Sequence, residues 1–114
     1  MHIVSWNCRG LGIPLKAEAV KDLIKIASPD VLLLQETKIE EEVLLSLSRT
    51  KWKKNAGKEV SARGTSGGLV TLWYKDKFLL KGSFSNQHWI YTELQHISSK
   101  ISTTLFNLYA PVNF

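Results

Sequence analysis

The sequence predicts an α/β protein in which two β-sheets pack face to face, with helices on the outer side of the first sheet. Two patterns lead to this class. The first 35 residues contain a strand, an amphipathic helix and a second strand. Runs of β-branched and aromatic residues, parted by short polar turns, then fill most of the second half. An α/β start followed by consecutive strands favours two packed sheets.

The first three elements predict a βαβ unit. Residues 2–7 are typical of a strand, and the glycine-containing segment 9–12 ends it. Apolar residues recur at steps of three and four from Lys16 to Ala27, which is the period of an amphipathic helix. The segment 28–30 stops this helix at its proline, and the apolar run 31–34 suits a strand covered on both faces. The two strands of such a unit are usually parallel, so their carboxyl ends share one edge.

The remaining elements are predicted to be mostly strands. Residues 39–48 have the pattern of a short second helix, and the polar, basic, glycine-bearing segment 53–66 is expected to be a loop. Four strand-like runs follow and predict an antiparallel meander. They span residues 68–74, 78–85, 89–96 and 101–109. Because no helix follows them to cover the second sheet, we expect the chain to be unfinished.

Composition narrows the class of protein. The chain has 114 residues, enough for one domain, and its 44% hydrophobic and 22% charged residues are ordinary for a globular protein. Its longest apolar runs are far short of the roughly 20 residues that span a bilayer. No leader pattern is recognisable, so we expect an intracellular protein without a membrane partner. The single cysteine, Cys8, leaves no internal disulfide partner.

The charge balance favours an anionic partner. Lysine and arginine outnumber aspartate and glutamate by 15 to 10, which gives a formal net charge of +5 and would attract a polyanion such as nucleic acid. A neutral binding protein with a solvated basic face would have the same composition. The oligomeric state cannot be predicted from these properties.

Two polar residues follow the two strands of the βαβ unit. Asn7 ends the first strand and Glu36 comes just after the second, so an amide and a carboxylate converge where α/β proteins bind ligands. Such oxygen donors suit Mg²⁺, which keeps several waters and takes further ligands from a phosphate. The alternative is structural: an asparagine after a strand often forms a turn, and such a glutamate is often solvated or caps a helix.

Four segments, in this order and at these separations, resemble the endonuclease/exonuclease/phosphatase superfamily. They are SWNCRGLG (5–12), SPDVLLLQETK (28–38), TSGGLVTLW (65–73) and NLYAPVN (107–113). Within the superfamily, the chain is most similar to the apurinic-endonuclease-like domain of plant non-LTR (LINE-type) retrotransposons. The resemblance covers the whole chain and implies a four-layer αββα sandwich, truncated here to about its N-terminal half.

The resemblance also implies an activity and a set of site residues. The family cleaves phosphodiesters with a divalent ion, usually Mg²⁺ and alternatively Mn²⁺, and DNA is the expected substrate. Glu36 corresponds to the direct metal ligand. Asn7 corresponds to a residue near the ion that orients a ligand or the attacking water. Tyr109, in a Tyr-x-Pro segment, corresponds to a hydroxyl donor to a phosphate oxygen, although an aromatic at the edge of the core is the alternative. A functional protein of this kind is expected in the nucleus.

Two departures from the family pattern bear on activity. Val112 separates Asn113 from the preceding proline, which weakens the case for Asn113 as a site residue. The later Asp-x-Asn and Asp-His motifs are not in this sequence, and none of the three histidines is expected to replace them as a general base. We therefore expect a catalytically incomplete fragment. The alternatives are a non-catalytic, basic nucleic-acid-binding fragment and a remnant of a decayed element.

Several other residues are given roles from their position. Arg9, next to Asn7, is a candidate phosphate contact. A basic stretch that could hold the DNA backbone, or simply be a solvated loop, contains Lys53, Lys54, Lys58 and Arg63. Structural roles are expected for Gly67, Gly68, Cys8, Trp52, Trp73 and Trp89, and strand-end or surface positions for His2, His88 and His96.

Overall fold

The architecture was obtained as a computed structural model that describes residues 1–10, 14–38, 55–60 and 67–109. These residues form a mixed α/β structure with two sheets, which confirms the predicted class. The elements in chain order are β1 (Ile3–Asn7), α1 (Pro14–Ala27), β2 (Val31–Gln35), β3 (Asn55–Val60), β4 (Leu69–Tyr74), β5 (Phe78–Asn86), β6 (Trp89–His96) and β7 (Ser102–Leu108).

The first sheet has the strand order β1-β2-β4-β3. β1 and β2 are parallel, as the βαβ pattern predicts, and Asn7 lies opposite Gln35 at their carboxyl ends. β4 runs antiparallel to β2 on one side and to β3 on the other, so its start at Leu69 lies beside the end of β2. The end of β1, the end of β2 and the start of β4 therefore lie side by side.

The helix α1 packs on one face of this sheet. Its apolar residues Val20, Leu23 and Ile24 contact a buried cluster that includes Leu32 and Leu34 of β2. The spacing of three and four residues brings these side chains onto one stripe, which explains why this face and no other is buried. After Ala27, the Ser28 N–H donates to the Ile24 carbonyl at 3.0 Å while Ser28 takes a left-handed φ of 44°, and this geometry ends the helix.

β2 is buried on both faces. Leu32 and Leu34 face the helix, whereas Val31 and Leu33 join the cluster between the two sheets. A strand between two layers needs an apolar run without polar alternation, which is the pattern of its sequence. Each fully buried leucine stabilises the fold by about 2 kcal/mol. This strand therefore joins the two parts of the core.

The second sheet has the order β5-β6-β7, with both pairs antiparallel. Its inner face places Phe78, Leu94 and Leu105 against Trp73 of the first sheet. The predicted meander therefore has three strands, not four. The prediction that residues 68–74 belong to it was wrong, because β4 finds its partners in β2 and β3.

The expectation of a loop over residues 53–66 was also wrong, because Asn55–Val60 forms strand β3. β4 is buried over Leu69–Trp73, so its backbone needs a hydrogen-bonding neighbour on each side. A polar segment with exposed Lys58 suits that place, since charged residues protect an edge strand from further pairing. The predicted helix at 39–48 and Trp52 lie outside the described residues.

The outer face of the second sheet carries an aromatic cluster. Tyr91 of β6 lies opposite both Phe84 and Phe106 in the strand register. The Tyr91 and Phe106 ring centroids are 5.1 Å apart, and Trp89 makes a second edge-to-face contact with Phe106. Cross-strand aromatic pairs of this kind stabilise a sheet, even though Phe84 remains 69% exposed.

The described residues contain no helix that is long and apolar enough to cross a membrane.

Asp30 ties the start of β2 to the chain terminus and to the turn after β4. Its carboxylate accepts a hydrogen bond from the His2 backbone N–H at 2.9 Å and one from Lys77 Nζ at 3.0 Å. Burial by itself raises the pKa of Asp30, but the hydrogen bonds from His2 and Lys77, with the positive charges of Lys77 and the N-terminus, outweigh it. The net effect lowers the pKa below its ordinary value of 3.8.

We expect Asp30→Asn to lower the free energy of unfolding at pH 7 by about 1 kcal/mol, because a charge-assisted hydrogen bond at a partly exposed site is lost. The folded-state pKa lies below that of the unfolded chain. The contribution is therefore present above pH 3.8 and is lost as the pH falls through the folded-state pKa. Urea denaturation at pH 7 and pH 3 measures it, and the difference from wild type should shrink at pH 3. Asp76→Asn, at an exposed aspartate, is the control; an equal effect there would contradict the assignment.

Candidate functional site

The candidate site is built where β1 and β2 end. The Cys8 N–H donates to the Gln35 carbonyl at 2.9 Å, and the Gly10 N–H donates to the Glu36 carbonyl at 2.7 Å. These two bonds extend the parallel pairing beyond the strands and join the loop after β1 to the loop after β2. The structure thus brings Asn7 and Glu36 to one edge, as the βαβ pattern predicts.

Glu36 is half-buried, and its backbone has a left-handed φ of 51°. Among the described residues, no side chain or backbone group forms a hydrogen bond or ion pair with its carboxylate. A partly buried carboxylate without a protein partner keeps its oxygens available for a cation or for water. Its role as a metal ligand stays a prediction.

Asn7 forms a local turn. Its Oδ1 accepts a hydrogen bond from the Arg9 backbone N–H at 3.1 Å, which is the structural role that asparagine commonly has after a strand. An amide oxygen has two lone pairs, so this bond leaves acceptor capacity on the exposed side chain. The turn also orients the amide, and the role of Asn7 toward a metal or water stays a prediction.

A pair of glycines before β4 forms the third part of the edge. The Thr37 and Lys38 N–H groups donate to the Gly68 and Gly67 carbonyls at 3.2 and 2.9 Å. A Cβ atom at Gly68 would overlap Thr37 Oγ1 and stand 3.1 Å from the Lys38 nitrogen. The structural role predicted for Gly68, to allow close backbone approach, is confirmed.

Tyr109 lies beside this glycine pair. A Cβ atom at Gly67 would be 3.8 Å from Tyr109 Cε1, so the tyrosine ring covers the glycine. The Tyr109 N–H donates to the His88 carbonyl at 2.7 Å, which fixes the backbone after β7 to the turn before β6. The ring is half-buried, and its hydroxyl forms no hydrogen bond with a residue that the structure describes. Tyr109 therefore belongs to the same edge as Glu36.

The loops at this edge are held in uncommon backbone conformations. Arg9, Glu36 and Lys38 all have φ between 51° and 55°, and the glycines Gly10, Gly67 and Gly68 also have positive φ. A non-glycine residue in this region costs free energy and persists only where its surroundings hold it. The hydrogen bonds between the loops supply those restraints, so the edge is preorganised.

Two cations flank the Glu36 carboxylate. Arg9 is exposed at the edge, and Lys38 is exposed two residues after Glu36. Lys38 lies over the Gly10 loop, since a Cβ atom at Gly10 would be 3.6 Å from Lys38 Cδ. No role was predicted for Lys38 from the sequence; its position directly after Gln-Glu-Thr was the available signal. Together the two cations give the edge a local positive charge.

A polar network that runs from exposed Ser5 to buried Asn107 lies beneath the site and was also missed. It consists of Ser5, Gln35 and Asn107, one residue from each of β1, β2 and β7. Gln35 Nε2 donates to Asn107 Oδ1 at 2.7 Å and to Ser5 Oγ at 3.1 Å. Asn107 is only 1% exposed. The feature of the sequence that could have indicated Asn107 was an asparagine on the buried face of a strand, where asparagine is rare.

The other residues to which the sequence assigns a role or position fall into four groups. Cys8 is buried in the core beside the helix, and Trp73 is buried in the core between the sheets. Trp89 lies on the outer face of the second sheet. His2 and His88 are exposed, His2 before the first strand and His88 in a turn. Lys53, Lys54, Arg63 and Asn113 lie outside the described residues.

The side-chain oxygen atoms at this edge determine which divalent ion it suits. Within the described ranges, no three His, Cys, Asp or Glu side chains form a group that could hold a metal ion. The edge instead provides one carboxylate and one amide oxygen, from Glu36 and Asn7. This set fits Mg²⁺, which commonly binds through one or two carboxylates while keeping waters, and fits neither a closed zinc site nor a calcium cage.

Comparison with known proteins supports a nuclease- or phosphodiesterase-like fold. The sequence model described as "Endonuclease/Exonuclease/phosphatase family" matches residues 4–109, which is nearly the whole chain. The protein therefore belongs to the endonuclease/exonuclease/phosphatase family. Members of this family generally depend on a divalent metal ion.

Solved structures share the fold. The AP endonuclease LMAP from Leishmania major is 18% identical with a TM-score of 0.69, and the match covers 94% of this chain and 39% of that one. The 3'-5' exonuclease NExo from Neisseria meningitidis is 19% identical with a TM-score of 0.71, covering 96% and 41%. Danio rerio TDP2, complexed with single-strand DNA product, is 19% identical with a TM-score of 0.67, covering 97% and 47%. The chain thus spans less than half the length of these proteins. No curated protein matches the chain.

We expect Gly68→Ala to lower the free energy of unfolding by about 2 kcal/mol or more, because it adds a side chain at a φ of 95° and displaces Thr37. Gly82→Ala is the matched control. Gly82 has no left-handed φ, and the nearest atom to its added Cβ is Glu93 Oε2 at 3.9 Å. That variant should change stability by less than about 1 kcal/mol. Urea denaturation of both variants measures the difference, and equal losses would contradict the close approach at the edge.

Proposed function

We propose that this chain carries metal-binding residues of a divalent-metal-dependent DNA phosphodiesterase, with an endonuclease as the specific activity. The observation that carries the proposal is the Glu36 carboxylate, which bonds to no residue that the structure describes and is held by backbone hydrogen bonds beside the Asn7 loop and near Tyr109. Mg²⁺ is the proposed ion, and Mn²⁺ is the alternative with similar oxygen ligands.

Each residue at the edge has a proposed part in phosphodiester cleavage. Glu36 would hold the ion directly, and Asn7 would orient a ligand or the attacking water. When bound, the ion would neutralise charge on the phosphate and favour hydroxide over water as the nucleophile. The Tyr109 hydroxyl would donate to a phosphate oxygen, where such a donor stabilises developing negative charge.

DNA is the proposed partner for three reasons. The chain has a formal net charge of +5, and the cations Arg9 and Lys38 are exposed at the edge that carries Glu36. Lysine and arginine supply the sequence-independent part of DNA binding. Two solved structures with the same fold contain DNA products, namely the D146N variant of NExo with a DNA hairpin and TDP2 with a single strand.

The extent of catalysis by the 114-residue chain is a separate part of the proposal. None of its three aspartates stands in an Asp-x-Asn or Asp-His pattern. A general base is needed to activate water efficiently, so we propose that the chain alone binds metal and DNA but has little or no nicking activity. An origin in a LINE-type retrotransposon, proposed from the order of its four motifs, and a nuclear location are part of the same hypothesis.

We expect Glu36→Gln to weaken Mn²⁺ binding by at least about tenfold. Loss of a residue that only hydrogen-bonds to a metal ligand typically lowers metal affinity by that factor, so loss of a direct ligand should lower it at least as much. Titration followed by electron paramagnetic resonance measures the affinity, and competition by Mg²⁺ tests whether both ions share the site. Glu93→Gln removes the same charge from β6 and should leave the affinity at the wild-type value. Equal affinity in wild type and Glu36→Gln would contradict the metal role.

A plasmid assay with the same proteins tests the extent of catalysis. Strong nicking of supercoiled DNA in Mg²⁺ that is lost in Glu36→Gln would confirm the metal role and show that the chain is catalytically sufficient. DNA affinity that is unchanged by EDTA and by Glu36→Gln, without metal binding, would instead favour the non-catalytic basic binding fragment.

We expect Arg9→Gln and Lys38→Gln each to lower the salt dependence of DNA binding by about one unit of slope in log Kd against log salt concentration. Each substitution removes one phosphate-contacting cation at the edge. Lys81→Gln removes an exposed lysine from β5 and is the matched control, with no change of slope expected. Fluorescence anisotropy with a labelled duplex at several salt concentrations measures the slopes. Equal effects of all three substitutions would indicate diffuse attraction and not contact at this edge.

A further inference from the structure

Asn107 belongs to the second sheet, but its side chain bonds to the first. Its Nδ2 donates to the Val70 carbonyl at 2.8 Å and lies 3.2 Å from the Leu34 carbonyl. Leu34 and Val70 are register partners in β2 and β4. The Asn107 amide therefore holds these two strands together one residue pair before their ladder ends at Gln35 and Leu69.

The other end of the Asn107 amide leads toward the site. Its Oδ1 accepts the 2.7 Å hydrogen bond from Gln35, which is the residue directly before Glu36. Gln35 also bonds to Ser5 on β1. The network thus fixes the last residue of β2 against the strand on one side and against the second sheet on the other.

Each member of the network is close in sequence to a candidate site residue. Ser5 and Asn107 precede Asn7 and Tyr109 by two residues, and Gln35 precedes Glu36 by one. A separation of two along a strand places both side chains on the same face. The network consequently lies one step beneath Asn7 and Tyr109, and it reaches Glu36 through the backbone of Gln35.

A buried asparagine is costly unless its donors and acceptors are satisfied. Asn107 is satisfied at both ends, and the bonds join residues 72 and 73 positions apart in the sequence. A buried amide whose donors and acceptor are all paired, as in Asn107, makes its surroundings rigid and specifies one arrangement. Here it fixes the position of Gln35, from which the Glu36 loop starts.

We propose that Asn107 is a positioning residue, which acts through Gln35 to hold Glu36 at the edge beside Asn7 and Tyr109. The inference rests on the proposed function for the use of Glu36 as a metal ligand. The position of the Glu36 loop is inferred from the hydrogen bonds alone. The positioning of the loop and the metal role of Glu36 can therefore be disproved separately.

The test uses two substitutions in the network and one matched control. Gln35→Met keeps the length of the side chain and removes its bonds to Asn107 and Ser5. Asn107→Leu removes the whole bridge. Thr92→Val is the control, because Thr92 is a fully buried polar residue of the second sheet whose Oγ1 accepts or donates no hydrogen bond within the described part of the chain. If Asn107→Leu does not fold, Gln35→Met, at a half-buried strand end, still decides the outcome.

Amide hydrogen exchange without metal is the first measurement. The Gly10 N–H is bonded to the Glu36 carbonyl, and the Lys38 N–H to the Gly67 carbonyl, so both report on the loop. We expect both to exchange at least about tenfold faster in the Gln35 and Asn107 variants, and at the wild-type rate in Thr92→Val. The His96 N–H, bonded to Ile101 in the second sheet, should be unchanged in Gln35→Met. Uniformly faster exchange would indicate general destabilisation and overturn the positioning role.

Mn²⁺ affinity is the second measurement. We expect Gln35→Met to raise the Kd by about tenfold, as for other residues that orient a metal ligand, and Thr92→Val to leave it unchanged. Wild-type affinity together with wild-type exchange in Gln35→Met would overturn the inference and leave the proposed function intact. If wild type shows no Glu36-dependent binding, the proposed function fails, and the exchange rates alone decide whether Asn107 positions the loop.

Discussion

The parallel pairing of β1 with β2 is the constraint on which the candidate site depends. Parallel neighbours need a crossover between them, and α1 supplies it while covering one face of the sheet. The pairing places both carboxyl ends at one edge, so residues 29 positions apart in sequence, Asn7 and Glu36, are held in adjacent loops. β2 can form this pair only because it is buried on both faces and aligned by β4 on its other side.

Elements defined by local pattern could be predicted from the sequence, and elements defined by distant partners could not. The helix and the buried strand β2 follow from apolar periodicity and from an apolar run, which are properties of neighbouring residues. Strand β3 has no such signal, because its polar sequence becomes a strand only through pairing with β4. β4 itself resembles the strands that follow it, and only its pairing with β2 assigns it to the first sheet.

The same distinction applies to the site. Asn7 and Glu36 could be found because strand ends in a βαβ unit have a fixed relation. Tyr109 came from resemblance, and the structure brings it to the same edge through the glycine pair before β4. The hydrogen bonds of Asn107 cross from one sheet to the other, so no spacing in the sequence indicates them. Lys38 was missed for another reason, since its position over Gly10 depends on a left-handed backbone that the sequence does not reveal.

The electrostatic character of the edge follows from how Glu36 is held. Its backbone is fixed by bonds to Gly10 and to the glycine pair through its neighbours Thr37 and Lys38, while its carboxylate bonds to no described residue. The hydrogen bonds that hold Glu36 in place are therefore made by the backbone, and they leave the carboxylate available to interact with a cation. Nearby Arg9 and Lys38 favour an anion, whereas Glu36 favours a cation. Under the proposed function, a metal ion and a phosphate bound together would satisfy both preferences, because Mg²⁺ commonly takes ligands from phosphate and the two cations would offset the remaining negative charge.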